Sequence, residues 1–503
     1  MSGIPKLLII YAIAIPLAVI LGFLVSTPGM ATVVVVAMLL FLFSLPVLLK
    51  WHHTLLIVLW NATLTIFFLP AQPQIWVLMA ALSFGISWLN NILGQKNFIK
   101  VPELARPLVL LGVVIVGTAL VRGGIGMQVF GGGSWGGKSY FLPIMAIVGY
   151  FAFTAARVPA AKATGLGQWF FLSGSTAAVS NLVYVLGPGF YVLYLLFPAV
   201  FAISQASADL TGSGMDRIGG LAFTGSAIVN ALLARYGFRG LLGWRKPWRM
   251  LIFLAAFGSI AFAGFRSTYV LVGLTLIPQF FLEGLHRTAL LPIAAGLCLV
   301  IAVPLIAFSD RMPMSIQRAM CFLPVKVDPS VQADAQASVD WRVTMWKTLT
   351  PEIPQYLLIG KGYRIDPTLL LATDIDLQLG FTDPFETSRI AGDYHSGPLS
   401  VLISFGLPGV VAFLWFLVAG TKALYQNYTY GNPILRNLNI FLLAFFIART
   451  IQFFFVYGDV RYDLYLFTGL VGLSVAINGG VLKKPVRIRN VAATAQFGAP
   501  QPA

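Results

Sequence analysis

Runs of about twenty apolar residues recur along most of this 503-residue chain, and a helix of that length crosses a hydrocarbon layer about 30 Å thick. Inside lipid every backbone N–H and C=O must find its partner within the chain, so unbroken apolar runs of this kind fold as helices. With 58% hydrophobic and only 10% charged residues, the composition excludes a soluble domain, where about a quarter of residues carry charge. The runs fall near 7–25, 30–49, 54–70, 74–93, 107–121, 140–156, 166–187, 218–234, 250–265, 267–284, 288–307, 396–420, 437–457 and 462–479. The expectation is an all-α polytopic membrane protein of about fourteen transmembrane helices. The run 188–207 is also apolar, but it opens with Gly187-Pro188-Gly189, and counting it as a crossing sets the charges of the two halves against each other. It is therefore read as re-entrant or interfacial.

The net charge of +16 would point to nucleic acid in a soluble protein, but its distribution matters more. On the fourteen-span reading one side carries 19 Lys and Arg against only Glu103 and Glu283. The other side is close to neutral, with 13 basic and 15 acidic residues. Excess Lys and Arg mark the cytoplasmic face. Both termini are thus expected inside and the long polar segment after Phe308 outside.

Cys298 falls within a span and Cys321 in the polar segment, which gives neither a disulfide framework nor a metal site. The first run is not expected to be a cleaved signal peptide, because Lys6 is a thin positive region and Ser26-Thr27-Pro28-Gly29 a poor cleavage site. The tail after Lys483 reads as a disordered cytoplasmic end. Gly132-Gly133-Ser134-Trp135-Gly136-Gly137-Lys138-Ser139 fits a phosphate-loop pattern, yet that loop needs a strand before it and a soluble helix after it. Here a glycine-rich connector leads into a span, so the pattern is set aside.

Several ionisable residues sit where lipid makes them costly. Arg266 lies in Ala263-Gly264-Phe265-Arg266-Ser267-Thr268, a tight joint between two spans, suited to a lipid phosphate or to an ordinary interfacial role. Arg217 lies in Ser213-Gly214-Met215-Asp216-Arg217, just before the span that begins near Ile218, and Asp216 offers it a surface partner. Arg342 follows Asp340, a plausible helix N-cap, and the stripe Trp341, Met345, Leu349 predicts an amphipathic helix to Thr350 lying on the protein or membrane surface. Arg449 lies deep in its span and should face the bundle interior with Gln452 one turn on, either in an ion pair or on a substrate path. His395 is one of four histidines and the only one outside the expected cytoplasmic ends. Imidazole suits proton transfer near neutrality, and Asp393 stands two residues away to orient it.

Taken in order, Asp216-Arg217-Ile218-Gly219-Gly220, Phe265-Arg266-Ser267, Trp341-Arg342, Leu358-Ile359-Gly360-Lys361-Gly362, His395-Ser396-Gly397-Pro398-Leu399 and Phe405-Gly406-Leu407-Pro408-Gly409 resemble the bacterial O-antigen ligase and O-antigen polymerase superfamily. The resemblance covers about residues 165–480, including the polar loop 308–395, and leaves 1–164 as N-terminal transmembrane helices and 481–503 as a tail. It implies a GT-C-like, metal-independent glycosyltransferase of the inner membrane, without cofactor. Such an enzyme takes a glycan from undecaprenyl diphosphate on the periplasmic side and passes it to an acceptor glycan or glycolipid. By position, Arg266 and Arg342 would grip the diphosphate, Arg217 would assist, and His395 would stand at the acceptor hydroxyl. The chain has Ser396 where the family more often has asparagine, and Phe265 where serine usually opens the arginine turn. These departures bear on substrate and acceptor rather than fold.

Physical chemistry points the same way. A departing diphosphate needs fixed positive charge, and guanidinium groups bind phosphate oxygens in pairs. A flippase or transporter remains the alternative, since many helices and an intramembrane arginine suit translocation. A peptidoglycan polymerase is a third reading that would use Asp340 or Asp393. Ligase and polymerase are not separable at this stage.

Overall fold

The computed structural model describes residues 30–69, 71–94, 97–126, 135–211, 218–243, 245–321, 325–381, 383 and 385–484. Among these residues the regular structure is helical, apart from two isolated β-bridges, Thr65 with Gln74 and Trp135 with Ile365. Eight helices are long and apolar enough to cross a bilayer, against about fourteen expected from apolar length alone. Two causes account for part of the difference. The run 7–25 lies outside the described residues. The runs 30–49 and 54–70 are not two spans, because α1 (Met30–Leu59) passes unbroken through Lys50, His52 and His53 and the chain unwinds only from Trp60.

The polar residues that looked like a break have partners inside the fold. His52 Nδ1 pairs with Ser83 Oγ at 2.9 Å and His53 Nε2 with the Phe153 carbonyl at 2.9 Å. No glycine or proline stands between Leu49 and Leu59 to stop the helix.

The N-terminal part continues with α2 (Ile75–Ile92), α3 (Pro102–Arg122), α4 (Gly137–Phe153), α5 (Ala160–Leu172) and α6 (Ala178–Leu186), the last two joined by a 3₁₀ turn, Ser173–Ala177. The apolar run 188–207 is split into a 3₁₀ stretch, Pro188–Leu195, and α7 (Val200–Thr211), so no single helix runs through it. Then come α8 (Gly219–Leu241), α9 (Trp248–Phe262), α10 (Arg266–Leu282) and α11 (Leu290–Ala307). The polar segment carries α12 (Met314–Met320), α13 (Pro329–Leu349), α14 (Pro367–Gln378) and α15 (Glu386–Ile390). Three long helices close the chain: α16 (Gly397–Tyr430), α17 (Arg436–Phe455) and α18 (Val460–Asn478). Of the helices on expected spans, α4, α9 and α10 are shorter, with 17, 15 and 17 residues.

The core runs through both parts of the chain. α18 packs against α4, α16 against α3 and α17, α10 against α17, and α8 against α5 and α9. Trp60 is fully buried at the centre, 4.9 Å from the Phe153 ring and donating to the Tyr465 carbonyl at 3.1 Å. α11 is different: it has no buried residue and meets the rest mainly at its two ends.

One break positions the site. Within α16, Gly406 has φ 66 and interrupts the helix. Pro408 has no N–H to give to the Ser404 carbonyl, and the Leu407 N–H turns instead to the Leu357 carbonyl at 2.7 Å. The carbonyls of Ile403 and Ser404, left without helical partners, accept the N–H groups of Lys361 and Gly362 at 2.7 and 3.1 Å. The turn Ile359–Gly362 is thereby sewn into a transmembrane helix.

Candidate active site

The polar segment is anchored by its own small core. α13 begins at Asp328, whose carboxylate accepts the Ser330 N–H at 2.8 Å, with Pro329 at the first helical position. The expected cap, Asp340, is instead well inside the helix and accepts from Gln336 Nε2 at 2.9 Å. Asp-Pro-Ser is the stronger start signal, because proline there gives up only an N–H that has no helical partner. The stripe predicted from Trp341, Met345 and Leu349 holds: Met345 and Leu349 are fully buried and pack with Phe385, Tyr394 and Ile403. Trp346 Nε1 donates to the Tyr394 carbonyl at 2.9 Å. This pins α13 to the residue before His395.

His395 occupies a left-handed backbone conformation, φ 50, at the entrance to α16. Its Nδ1 lies 3.2 Å from Asp393 Oδ1. The imidazole stands edge-on between two aromatic rings, Trp341 at 4.7 Å and Tyr457 at 5.3 Å between centroids. Burial alone would raise the Asp393 carboxyl, but the hydrogen bond and charge of His395, with the charge of Arg461, hold it below the usual carboxylate range. The ionised carboxylate can therefore orient Nδ1 and leave Nε2 free for chemistry.

Trp341 also carries Arg342 to this spot. Burial, and then the positive charge of Arg266, pull the Arg342 guanidinium below its ordinary value, while Tyr457 acts in the opposite sense. Arg266 opens α10 and donates from Nη1 to Cys321 Sγ at 3.2 Å. Among the described residues no carboxylate forms a salt bridge with either arginine. Guanidinium groups in such a setting have the chemistry to bind an anion. Beside Arg266 lies a cavity of about 420 Å³ with mostly apolar walls, lined by Phe257, Tyr269 and Val270, by Leu305 of α11, and by Ile316 and Met320 of α12.

The other expected site residues fare differently. Arg217 lies outside the described residues. Arg449 faces the interior, as expected, and is tied to Asp463 and to Gln452. Gln452 Nε2 in turn donates to the Ser267 carbonyl at 3.0 Å, next to Arg266. Arg449 thus braces the arginine joint from behind.

Some residues escaped the sequence reading. Arg461, nearly fully buried, makes a forked pair with Asp459, donates from Nη1 to the Ala391 carbonyl at 2.8 Å and lies 5.4 Å from the centre of the Tyr363 ring. Asp463 accepts the Asp459 N–H at 2.9 Å as well as pairing with Arg449. The signal was present as three charges in Asp459-Val460-Arg461-Tyr462-Asp463, at a joint between two apolar runs. Arg122, a charge at the edge of the run 107–121, was passed over; its guanidinium donates to the carbonyls of Ile359 and Gly360 at 2.9 and 2.8 Å. Tyr140 of α4 accepts the Tyr363 N–H at 2.7 Å.

Residues 219–414, from α8 into α16, match the family described as O-antigen ligase. Comparison with curated proteins gave no match.

Proposed function

From the match of residues 219–414 to the family described as O-antigen ligase, we propose that the chain is a membrane glycosyltransferase moving a glycan from undecaprenyl diphosphate to an acceptor sugar. The reaction takes place at the His395 end of the bundle, on the periplasmic face of the bacterial inner membrane, with the end of the chain after α18 on the cytoplasmic side. The catalytic region extends over residues 165–480. The observation that carries this reading is that Arg342 lies within reach of the charge of Arg266, that its neighbour Trp341 stands against His395, and that no carboxylate among the described residues forms a salt bridge with either arginine.

The chemistry follows from that arrangement. The diphosphate of the donor sits between the two guanidinium groups, and the apolar cavity beside Arg266 receives the first part of the isoprenoid chain, with α11 standing off to admit it from the bilayer. The acceptor hydroxyl lies against His395 Nε2. As its oxygen attacks the anomeric carbon, the C–O bond to the diphosphate breaks and the bonding electrons go to the departing phosphate oxygen, where Arg266 and Arg342 stabilise them. The hydroxyl proton passes to Nε2, and Asp393 supports the imidazolium that forms. A single displacement inverts the anomeric centre, and no metal is needed in this scheme. The acceptor is either a lipid-linked core sugar, as in a ligase, or another lipid-linked repeat, as in a polymerase. Strains lacking the gene separate the two: long free chains on the carrier mean ligase, single repeats mean polymerase. A cavity at the arginine joint supports transfer over transport, which calls for a midplane site between two related halves.

The test uses purified full-length protein in nanodiscs with a labelled lipid-linked glycan. Arg266→Ala and His395→Ala should each lower turnover by roughly 10²-fold or more. Undiminished turnover in either variant removes that residue from the mechanism, and a product of retained configuration rules out the single displacement.

A further inference from the structure

Arg461 is far more deeply buried than an arginine at a helix start needs to be, at 5% exposure. Its fork is taken by Asp459, with Nε at 3.0 and 2.9 Å from the two carboxylate oxygens, and this pair is itself fixed: the Arg461 N–H donates to Asp459 Oδ1 at 2.9 Å. What remains is Nη1, which reaches across to the Ala391 carbonyl at 2.8 Å. That carbonyl begins the loop Ala391-Gly392-Asp393-Tyr394-His395. Gly392 adopts φ 74, and the Tyr363 ring and Arg461 Nη1 both lie against it. The far end of the loop is held by Trp346 on the Tyr394 carbonyl. Among the described residues Arg461 is the charged side chain that grips the near end.

Resting on the transferase reading above, we propose that Arg461 is a positioning residue: by clamping the Ala391 carbonyl it sets the loop that delivers His395 between Trp341 and Tyr457, and does so without touching the donor. The arrangement has a clear consequence. Arg266 and Arg342 stand on α10 and α13, not on the 391–395 loop, so releasing the clamp moves the imidazole while leaving the diphosphate site in place. Lysine at 461 keeps the charge but has no fork with which to hold Asp459 and Ala391 together.

The experiment compares wild type with Arg461→Lys, full-length in nanodiscs, by three measurements. Turnover number should fall about 10- to 100-fold, as expected when a catalytic group is displaced by about 1 Å. Donor KM and the affinity for undecaprenyl diphosphate alone should stay within about twofold. Diethyl pyrocarbonate labelling of His395, read by mass spectrometry at one pH, should rise several-fold in the variant, with His52, His53 and His286 as internal controls. Unchanged turnover and labelling overturn the proposal. So does loss of undecaprenyl diphosphate binding in step with turnover, which would make Arg461 a support of the whole fold. Should Arg461→Lys fail to fold, the isosteric Asp459→Asn repeats the comparison, and failure of both variants to bind the lipid diphosphate likewise overturns the local role. A wild type that transfers no glycan counts against the transferase reading, whereas the labelling ratio still tests the clamp.

Discussion

His395 combines a backbone conformation that costs a non-glycine residue roughly 1–3 kcal/mol with a side chain fixed on three sides, by Asp393, Trp341 and Tyr457. Strain of that kind persists only where the surroundings over-determine it, and here two anchors, Arg461 and Trp346, supply the constraint. The carboxylate partner leads to a prediction with a definite sign. The Asp393 carboxyl is held below its ordinary value of 3.8. Its pairing with His395 therefore contributes stability that is fully present above the ordinary carboxylate range and is lost as pH falls through the depressed value. The melting temperature of wild type minus that of Asp393→Asn should shrink as pH falls below about pH 4. A difference that collapses between pH 7 and 5 would assign the pairing to a different titration. Turnover of Asp393→Asn at neutral pH should fall roughly 10- to 100-fold through loss of support for the imidazolium. At this scale His395 and Arg266 drew notice because a charge or an imidazole at the edge of an apolar run is costly enough to stand out, and Arg342 because it adjoins the stripe of Trp341, Met345 and Leu349. Arg461 was not, because Asp459 two residues earlier offers a local explanation for its charge and says nothing of Ala391.

Elements were legible where a long apolar run dictated them and illegible where a tertiary contact overruled a local signal. The run of α1 is an example: Lys50, His52 and His53 look like an exit from the membrane, yet Ser83 and the Phe153 carbonyl take up both imidazoles and the helix continues. Asp340 likewise has the chemistry of a cap but lies inside α13, which Asp328 and Pro329 had already started. The motif Leu358-Ile359-Gly360-Lys361-Gly362 could be recognised but not understood, since its partner lies some forty residues on, at the break in α16. A β-carbon on Gly360 would sit 2.0 Å from the Ser404 carbonyl oxygen and 2.4 Å from the Phe405 nitrogen, both backbone atoms that cannot yield. Gly360→Ala should therefore pull the turn out of the α16 break and lose the hydrogen bonds of Lys361 and Gly362, each worth about 0.5–1.5 kcal/mol. The expected result is a lower melting temperature in detergent together with loss of transfer. Alanine at Gly258, where nothing lies within 4 Å of the added carbon, is the control and should melt like wild type. Equal melting of the two variants would mean that the turn is not built into the helix.

On the scale of the whole molecule, the matched segment 219–414 does not contain all of its own supports. Its turn at Ile359 and Gly360 is held from α3 by Arg122, its Tyr363 backbone from α4 by Tyr140, and its His395 loop from α18 by Arg461. The N-terminal helices, which carry no recognisable motif, thus do more than fill the bilayer: they complete the proposed catalytic end by binding backbone groups of the 359–363 turn. Backbone contacts of this kind place no demand on the residue type they touch, which is why no pattern in residues 1–164 announced them. Arg122→Gln tests the point. The shorter neutral side chain cannot span both carbonyls, and hydrogen bonds from a charged donor contribute about 1.5–3 kcal/mol, so the variant should melt several degrees lower and transfer glycan roughly tenfold more slowly. Arg122→Lys should recover only part of the loss, because an ammonium cannot reproduce the two-point fork. The decisive measurement is the split between steps: undecaprenyl diphosphate binding at Arg266 and Arg342 should survive in Arg122→Gln while transfer falls, since neither arginine is attached to the 359–362 turn. If donor binding falls and transfer per bound donor does not, the N-terminal helices serve the lipid site instead, and the support assigned to α3 belongs to a different part of the reaction.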